Sequence, residues 1–179
     1  MYVAEQTGVV RALKAMTAEP IWIYSTGSSV IQAPLTVVPS GEACCGGILL
    51  VGTASGVLHA LGLKDGSARW AHQSEAQSSG VSITAAPVAS TTGSQVIFGG
   101  DNGFLHSLET ISGREMWKFR TVAAVKGCLA AHPAGTTRKN VFCDTMFLID
   151  FQDRPHESPV MLRQYMAVGA SIFIGYSTA

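Results

Sequence analysis

The chain repeats one pattern three times at a fixed spacing. Met1 to Trp22 reads MYVAEQTGVVRALKAMTAEPIW, Ile48 to Trp70 reads ILLVGTASGVLHALGLKDGSARW, and Val96 to Trp117 reads VIFGGDNGFLHSLETISGREMW. Gly8, Gly56 and Gly103 share one slot, Leu13, Leu61 and Leu108 a second, and Trp22, Trp70 and Trp117 a third. The glycines stand 48 and then 47 residues apart (56−8 and 103−56), and the tryptophans keep the same two intervals (70−22 and 117−70). A constant period of that length marks a repeat architecture in which one supersecondary unit recurs and neighbours bury each other's faces.

The unit itself is made of strands. Val57, His59 and Leu61 alternate with Leu58 and Ala60, and Phe104, His106 and Leu108 alternate with Leu105 and Ser107, the period of two that a sheet imposes. Apolar residues fall on both parities, as expected where a sheet is covered on each side. The S-G and N-G pairs ending at Gly56 and Gly103 predict two-residue hairpin turns, because glycine accepts positive φ cheaply. Ahead of each full unit lies another strand, Ala33–Val38 and Ala86–Val88. Its proline belongs at the strand start or on an unpaired edge, since it has no N–H to donate. Four strands in about 45 residues is a β-propeller blade, whereas solenoid repeats of that length are helical. The expected fold is all-β, a partial propeller of three to four four-stranded blades. A recurrent tryptophan in such a blade is expected to wedge between neighbouring sheets with its ring N–H bonded across.

The predicted organisation runs from a partial blade at 1–24, through full blades at 30–73 and 81–120, to a degenerate one at 121–145. Thr17-Ala18 stands in the first copy where Gly66 and Gly113 stand in the others. Val141–Cys143 matches a second strand, and Phe147–Asp150 a shortened third, but the turn glycine and the tryptophan are missing there. Residues 146–179 form a divergent tail in which Ser158–Val160 and Ile172–Gly175 resemble a first and a second blade strand. The apolar run Leu162–Ile174 is interrupted by Arg163 and Gln164 and is too short to cross a bilayer.

Composition removes several function classes. Apolar residues make up 47% of the 179, but charged ones only 13%, against roughly 25% in ordinary domains. Twelve basic residues balance twelve acidic ones, with no basic stripe, so nothing points to nucleic acid or a membrane surface. The four cysteines, Cys44, Cys45, Cys128 and Cys143, show no C-x-x-C spacing and do not follow the repeat, which suits reduced thiols and a cytoplasmic protein. No basic n-region with a following apolar stretch opens the chain.

At these residues the chain resembles the pyrroloquinoline-quinone (PQQ) repeat family of propellers, related in architecture to WD40 propellers. The blade sentence V-Y-V-G-S-x-D-G-x-L-Y-A-L-D-x-x-T-G-x-x-x-W is matched by the second and third copies, and the resemblance extends over about residues 1–145. Within that family, FRTVAAVKGCLAAHP after the third copy is most similar to the C-terminal propeller of β-alanine-activating, aminoadipate-semialdehyde-dehydrogenase-like proteins of the acyl-CoA synthetase family. The resemblance implies a non-catalytic binding or scaffold module, part of a larger adenylate-forming protein and held by a protein partner or by the parent's own domains. It equally offers an alternative, a remnant of a quinone-dependent alcohol dehydrogenase. A chain of so few blades is expected to leave apolar faces uncovered and to self-associate when alone.

Each candidate for chemistry has a plainer reading. Quinoprotein dehydrogenases of the family carry an adjacent-cysteine disulfide over the quinone, but there a longer, more polar run precedes the next strand. Here Cys44-Cys45 is followed by Gly46-Gly47 and at once by Ile48, which suits two ordinary thiols. His59 and His106 share a slot, yet equivalent positions of adjacent blades are rotated apart, so packing explains them better than metal ligation. Asp101-Asn102-Gly103 offers a single carboxylate, too few oxygens for calcium. Gly46-Gly47 and Gly99-Gly100 precede no helix and so are not phosphate loops. The expectation is therefore no catalytic, metal or cofactor residue, with neither quinone nor calcium bound. The repeat positions Gly8, Gly56, Gly103, Trp22, Trp70 and Trp117 are expected to matter structurally.

Overall fold

A computed structural model describes residues 1–27, 29–40, 46–74, 81–90, 92–121, 124–126, 128–133, 145–151, 161–168 and 171–177. Among these the chain is all-β and builds four sheets in sequence order. The first has three strands, β1 (Tyr2–Ala4), β2 (Val9–Leu13) and β3 (Pro20–Ser25). The second is the antiparallel meander β4 (Thr36–Val38), β5 (Ile48–Gly52), β6 (Val57–Gly62) and β7 (Ala68–Gln73). The third repeats it with β8 (Val88–Ala89), β9 (Gln95–Gly99), β10 (Phe104–Glu109) and β11 (Glu115–Arg120). These are the blades of a partial propeller.

The first strand of each full blade is shorter than expected. Pro34 and Pro87 stand just before β4 and β8, so the ladder begins only after the residue that lacks a donor. The fourth sheet departs further. It is formed by β12 (Cys128–Pro133), β13 (Thr145–Phe151), β14 (Met161–Val168) and β15 (Ser171–Ser177), and its first pair is parallel. The strand expected at Val141–Cys143 lies outside the described residues, as do Ser158–Val160.

The core is a stack of layers between sheets. One layer, between the first and second sheets, holds Val10, Ala12, Trp22, Ile31, Leu49, Val51 and Leu61. The next holds Ile48, Leu50, Leu58, Ala60, Ile83, Val96, Phe98 and Leu108, between the second and third. A third layer gathers Ala85, Ile97, Leu105, Val125 and Leu129. Alternation along β5 therefore sends Leu49 and Val51 one way and Ile48 and Leu50 the other, and all five of its residues are buried. At roughly 25 cal/mol per Å² of apolar surface removed from water, such two-sided burial is the main stabiliser of these sheets.

The tight turns differ from the expected two-residue hairpins. Thr53 N–H donates to Val57 O at 3.0 Å and Gly56 N–H donates to Thr53 O at 3.1 Å, which closes a three-residue loop with glycine last. The same pair of bonds links Glu5, Gly8 and Val9, and links Gly100, Gly103 and Phe104. Gly8, Gly56 and Gly103 lie at φ +86°, +78° and +74°, the left-handed last residue of this loop type. The S-G and N-G pairs are the end of a longer turn, which has one residue more than the two-residue hairpin.

Candidate functional site

The residues with chemistry gather along the seams where one sheet faces the next. Each seam begins with a tryptophan. Trp22 on β3 reaches the second sheet, where its Nε1–H donates to Leu63 O at 3.1 Å. Trp70 on β7 does the same to Thr110 O of the third sheet at 2.9 Å. The ring lies on a glycine in the same turn: a Cβ at Gly66 would sit 2.5 Å from Trp22 Cδ2, and one at Gly113 2.5 Å from Trp70 Cδ2. Gly66 and Gly113 also have φ of +66° and +70°, so glycine is required there twice over, for the backbone and for the ring. Ala18 occupies that slot in the first sheet and takes φ 55° with a side chain. Trp117, the third of the series, packs part-buried against the layer of Ile97 and Leu105.

Two residues beyond each tryptophan, on the same face of the strand, stands a second seam residue. Tyr24 follows Trp22 and His72 follows Trp70. Tyr24 meets His59 across the first seam, with its hydroxyl 3.3 Å from His59 Nδ1 and the rings edge to face at 5.9 Å. His72 meets His106 across the second seam, ring centroids 6.0 Å apart. His59 and His106 thus lie in successive seams, each facing the blade before its own.

The second seam is the more polar. His106 is fully buried on β10 and stacks on Phe98, 5.0 Å between centroids and 15° between planes. Its Nδ1 lies 2.7 Å from Glu115 Oε2, and the same oxygen is 3.7 Å from His72 Nε2. A carboxylate oxygen accepts, so the pair is a hydrogen bond from His106 Nδ1–H in the tautomer that carries the ring hydrogen there. Phe98 also holds the edge of the His72 ring at 5.9 Å and 74°. Burial pushes the His72 pKa below the usual 6.5; Glu115 pulls it up, and His106 pushes it further down. His59 is lowered too, by burial. Both imidazoles are thereby kept neutral near pH 7. Sequence reasoning singled out His106 but neither His72 nor Glu115, which replace Tyr24 and Pro20 of the first copy.

The other candidates fall apart. Asp101 forms part of a turn closed by Gly103 N–H to Gly100 O at 3.2 Å; its carboxylate faces Lys126 Nζ at 3.9 Å and Thr84 Oγ1 at 3.5 Å. One carboxylate beside a cation is a poor fit for calcium, which takes six to eight oxygens. Cys44, Cys45 and Cys143 lie outside the described residues.

Comparison with known proteins places these blades in a family. The family profile described as outer membrane protein assembly factor BamB matches residues 1–137. Quinohemoprotein alcohol dehydrogenase ADH IIB of Pseudomonas putida is 29% identical over an alignment of 142 positions that covers 74% of this chain and 20% of that enzyme. The chain thus spans about a fifth of this curated relative's length. BamB from Moraxella catarrhalis superposes with a TM-score of 0.56 at 19% identity, over 99% of this chain and 50% of that one. Quinohemoprotein alcohol dehydrogenase from Comamonas testosteroni superposes with a TM-score of 0.53 at 24% identity, over 66% of this chain and 19% of that one. At such identities the two structures establish the propeller fold.

Two expectations change in consequence. The acyl-CoA synthetase-like parentage finds no support among these relatives, which are alcohol dehydrogenases and an assembly factor. The expectation of a chain with neither quinone nor calcium is corrected as well, because a quinohemoprotein alcohol dehydrogenase is 29% identical over most of the chain's length. The cysteine spacing and the Asp101 turn, on which that expectation rested, do not outweigh the relationship.

Proposed function

The chain belongs to the PQQ-repeat β-propeller family, and from that premise we propose that it is a run of blades from a longer propeller that acts by binding protein. The observation that carries this reading is the far face of the first sheet. Trp22 and Tyr24 point into the first seam, so Ile21 and Ile23 point away from it, 56% and 55% exposed. Val3, 36% exposed, stands on the same sheet, and β3 is an edge strand of that sheet among the described residues. An apolar face beside a free edge is suited to another blade or to a partner's β-surface. BamB, by its description an outer membrane protein assembly factor, supplies a relative whose role concerns other proteins.

Sedimentation of the full chain tests this. Concentration-dependent association is expected, and Ile21→Lys with Ile23→Lys should abolish it while far-ultraviolet dichroism stays unchanged. A monomer at every concentration, or association indifferent to both substitutions, refutes the reading.

A second reading, quinone-dependent alcohol oxidation by the longer protein, is favoured by the 29% identity to the Pseudomonas putida enzyme. Dye-linked alcohol oxidation by the longer protein after incubation with quinone and a divalent metal would support it. Its absence at saturating quinone would set it aside.

A further inference from the structure

His72, Glu115 and His106 bring three metal-ligating atoms within 4.8 Å of one another, from two different blades. We propose that these three side chains form a divalent transition-metal site, of the zinc class, that clamps the second blade to the third. Neither the repeat nor the family relationship assigns them any role.

The geometry suits such an ion. Zinc binds imidazole nitrogen at about 2.0–2.1 Å and carboxylate oxygen at about 2.0–2.2 Å, so neighbouring ligands of a tetrahedral ion lie roughly 3.3 Å apart. The two separations from Glu115 Oε2, 2.7 Å to His106 Nδ1 and 3.7 Å to His72 Nε2, lie on either side of that value. Rotation of the Glu115 side chain, 38% exposed, adjusts both. The histidines are held from behind, His106 stacked on Phe98 and His72 edge-on to the same ring, so their nitrogens keep converging without a bound ion. Two imidazoles and one carboxylate select zinc, cobalt, nickel or copper over calcium or magnesium, which prefer all-oxygen shells. Three protein ligands leave a fourth position, and the exposure of Glu115 lets water reach it.

Coordination through His106 Nδ1 requires the tautomer whose hydrogen sits on Nε2, so the hydrogen shared with Glu115 moves to the other ring nitrogen and a neutral imidazole loses no net proton.

Cobalt(II) is the probe, added to the full chain with its four cysteines alkylated so that thiolates cannot compete. The expected result is the visible absorption of four-coordinate cobalt, saturating at one ion per chain and displaced by zinc. His72→Ala and Glu115→Gln, both at partly exposed positions, should each weaken cobalt binding by about 10-fold or more. His59→Ala, in the other seam, should leave it unchanged. Zinc should raise the melting temperature of the parent chain but not of the His72→Ala variant. The proposal is overturned if no such absorption develops, or if binding survives both the His72 and the Glu115 substitutions at unchanged affinity.

Discussion

Gly113→Ala tests the seam more sharply than removal of the tryptophan, because it adds one carbon and subtracts nothing. Two costs follow from the structure. The first is backbone: at φ +70° an L-residue is in the left-handed region, which costs about 1 kcal/mol relative to glycine. The second is the ring. The added Cβ would stand 2.5 Å from Trp70 Cδ2, 2.7 Å from Cγ and 2.8 Å from Cε3, whereas carbon atoms rest at about 3.5–4.0 Å. Trp70 must retreat by about 1 Å, which breaks its 2.9 Å bond to Thr110 O and opens the layer around it. A lost hydrogen bond of about 1 kcal/mol and part of a large aromatic's burial bring the total to about 3 kcal/mol. Gly27 supplies the control, since it has φ +85° and nothing within 4 Å of its notional Cβ. Gly27→Ala should therefore show the backbone cost alone, about 1 kcal/mol. Urea unfolding of both variants, followed by tryptophan fluorescence, gives the difference between them. Equal destabilisation would show that the ring does not rest on Gly113 in solution.

Other outcomes follow from the same seams. Ala18→Gly should stabilise the chain by up to about 1 kcal/mol in the same urea assay, since it relieves a left-handed alanine against glycine's greater unfolded-state entropy. Trp70→Ala should cost about 3–5 kcal/mol, and a loss below about 0.5 kcal/mol would mark the site as mere surface. Stability should also fall with acid because burial lowers the His59 pKa in the fold below its ordinary 6.5. The unfolded chain then binds the proton more readily, so the contribution is full above pH 6.5 and is lost as pH falls toward the depressed folded value. His59→Gln should flatten this part of a melting-temperature profile taken across that range.

The repeat was legible because glycine, leucine and tryptophan each do a stereochemical job that few other residues can do. Gly56 and Gly103 close left-handed turns, and Trp22 and Trp70 need a flat glycine to rest on, so these letters recur at a fixed spacing. The polar seam was not legible, because its residues vary where the fold tolerates variation. Tyr24 and His72 share a slot two places after the tryptophan, and His59 and His106 share another, but only the sheet stacking shows that the first slot packs against the second. Glu115 stands where the other copies have Pro20 and Ala68, so no periodicity announces it. The fourth sheet escaped for the opposite reason: its parallel first pair belongs to no repeat, and pattern matching had nothing to align.

The two-sided burial of β5 makes the second blade the keystone of hydrogen exchange. Leu49 and Val51 belong to one layer and Ile48 and Leu50 to the next, so no single sheet can peel away and expose both sides of that strand. Its amides should exchange only through the largest opening the chain undergoes, whereas the outer strands β3, β7 and β11, each an edge, open in small local steps. Protection should therefore be graded radially across each blade, slow at the second strand and fast at the fourth. Neighbouring blades should share their slowest rates, as in a one-dimensional array coupled through its contacts.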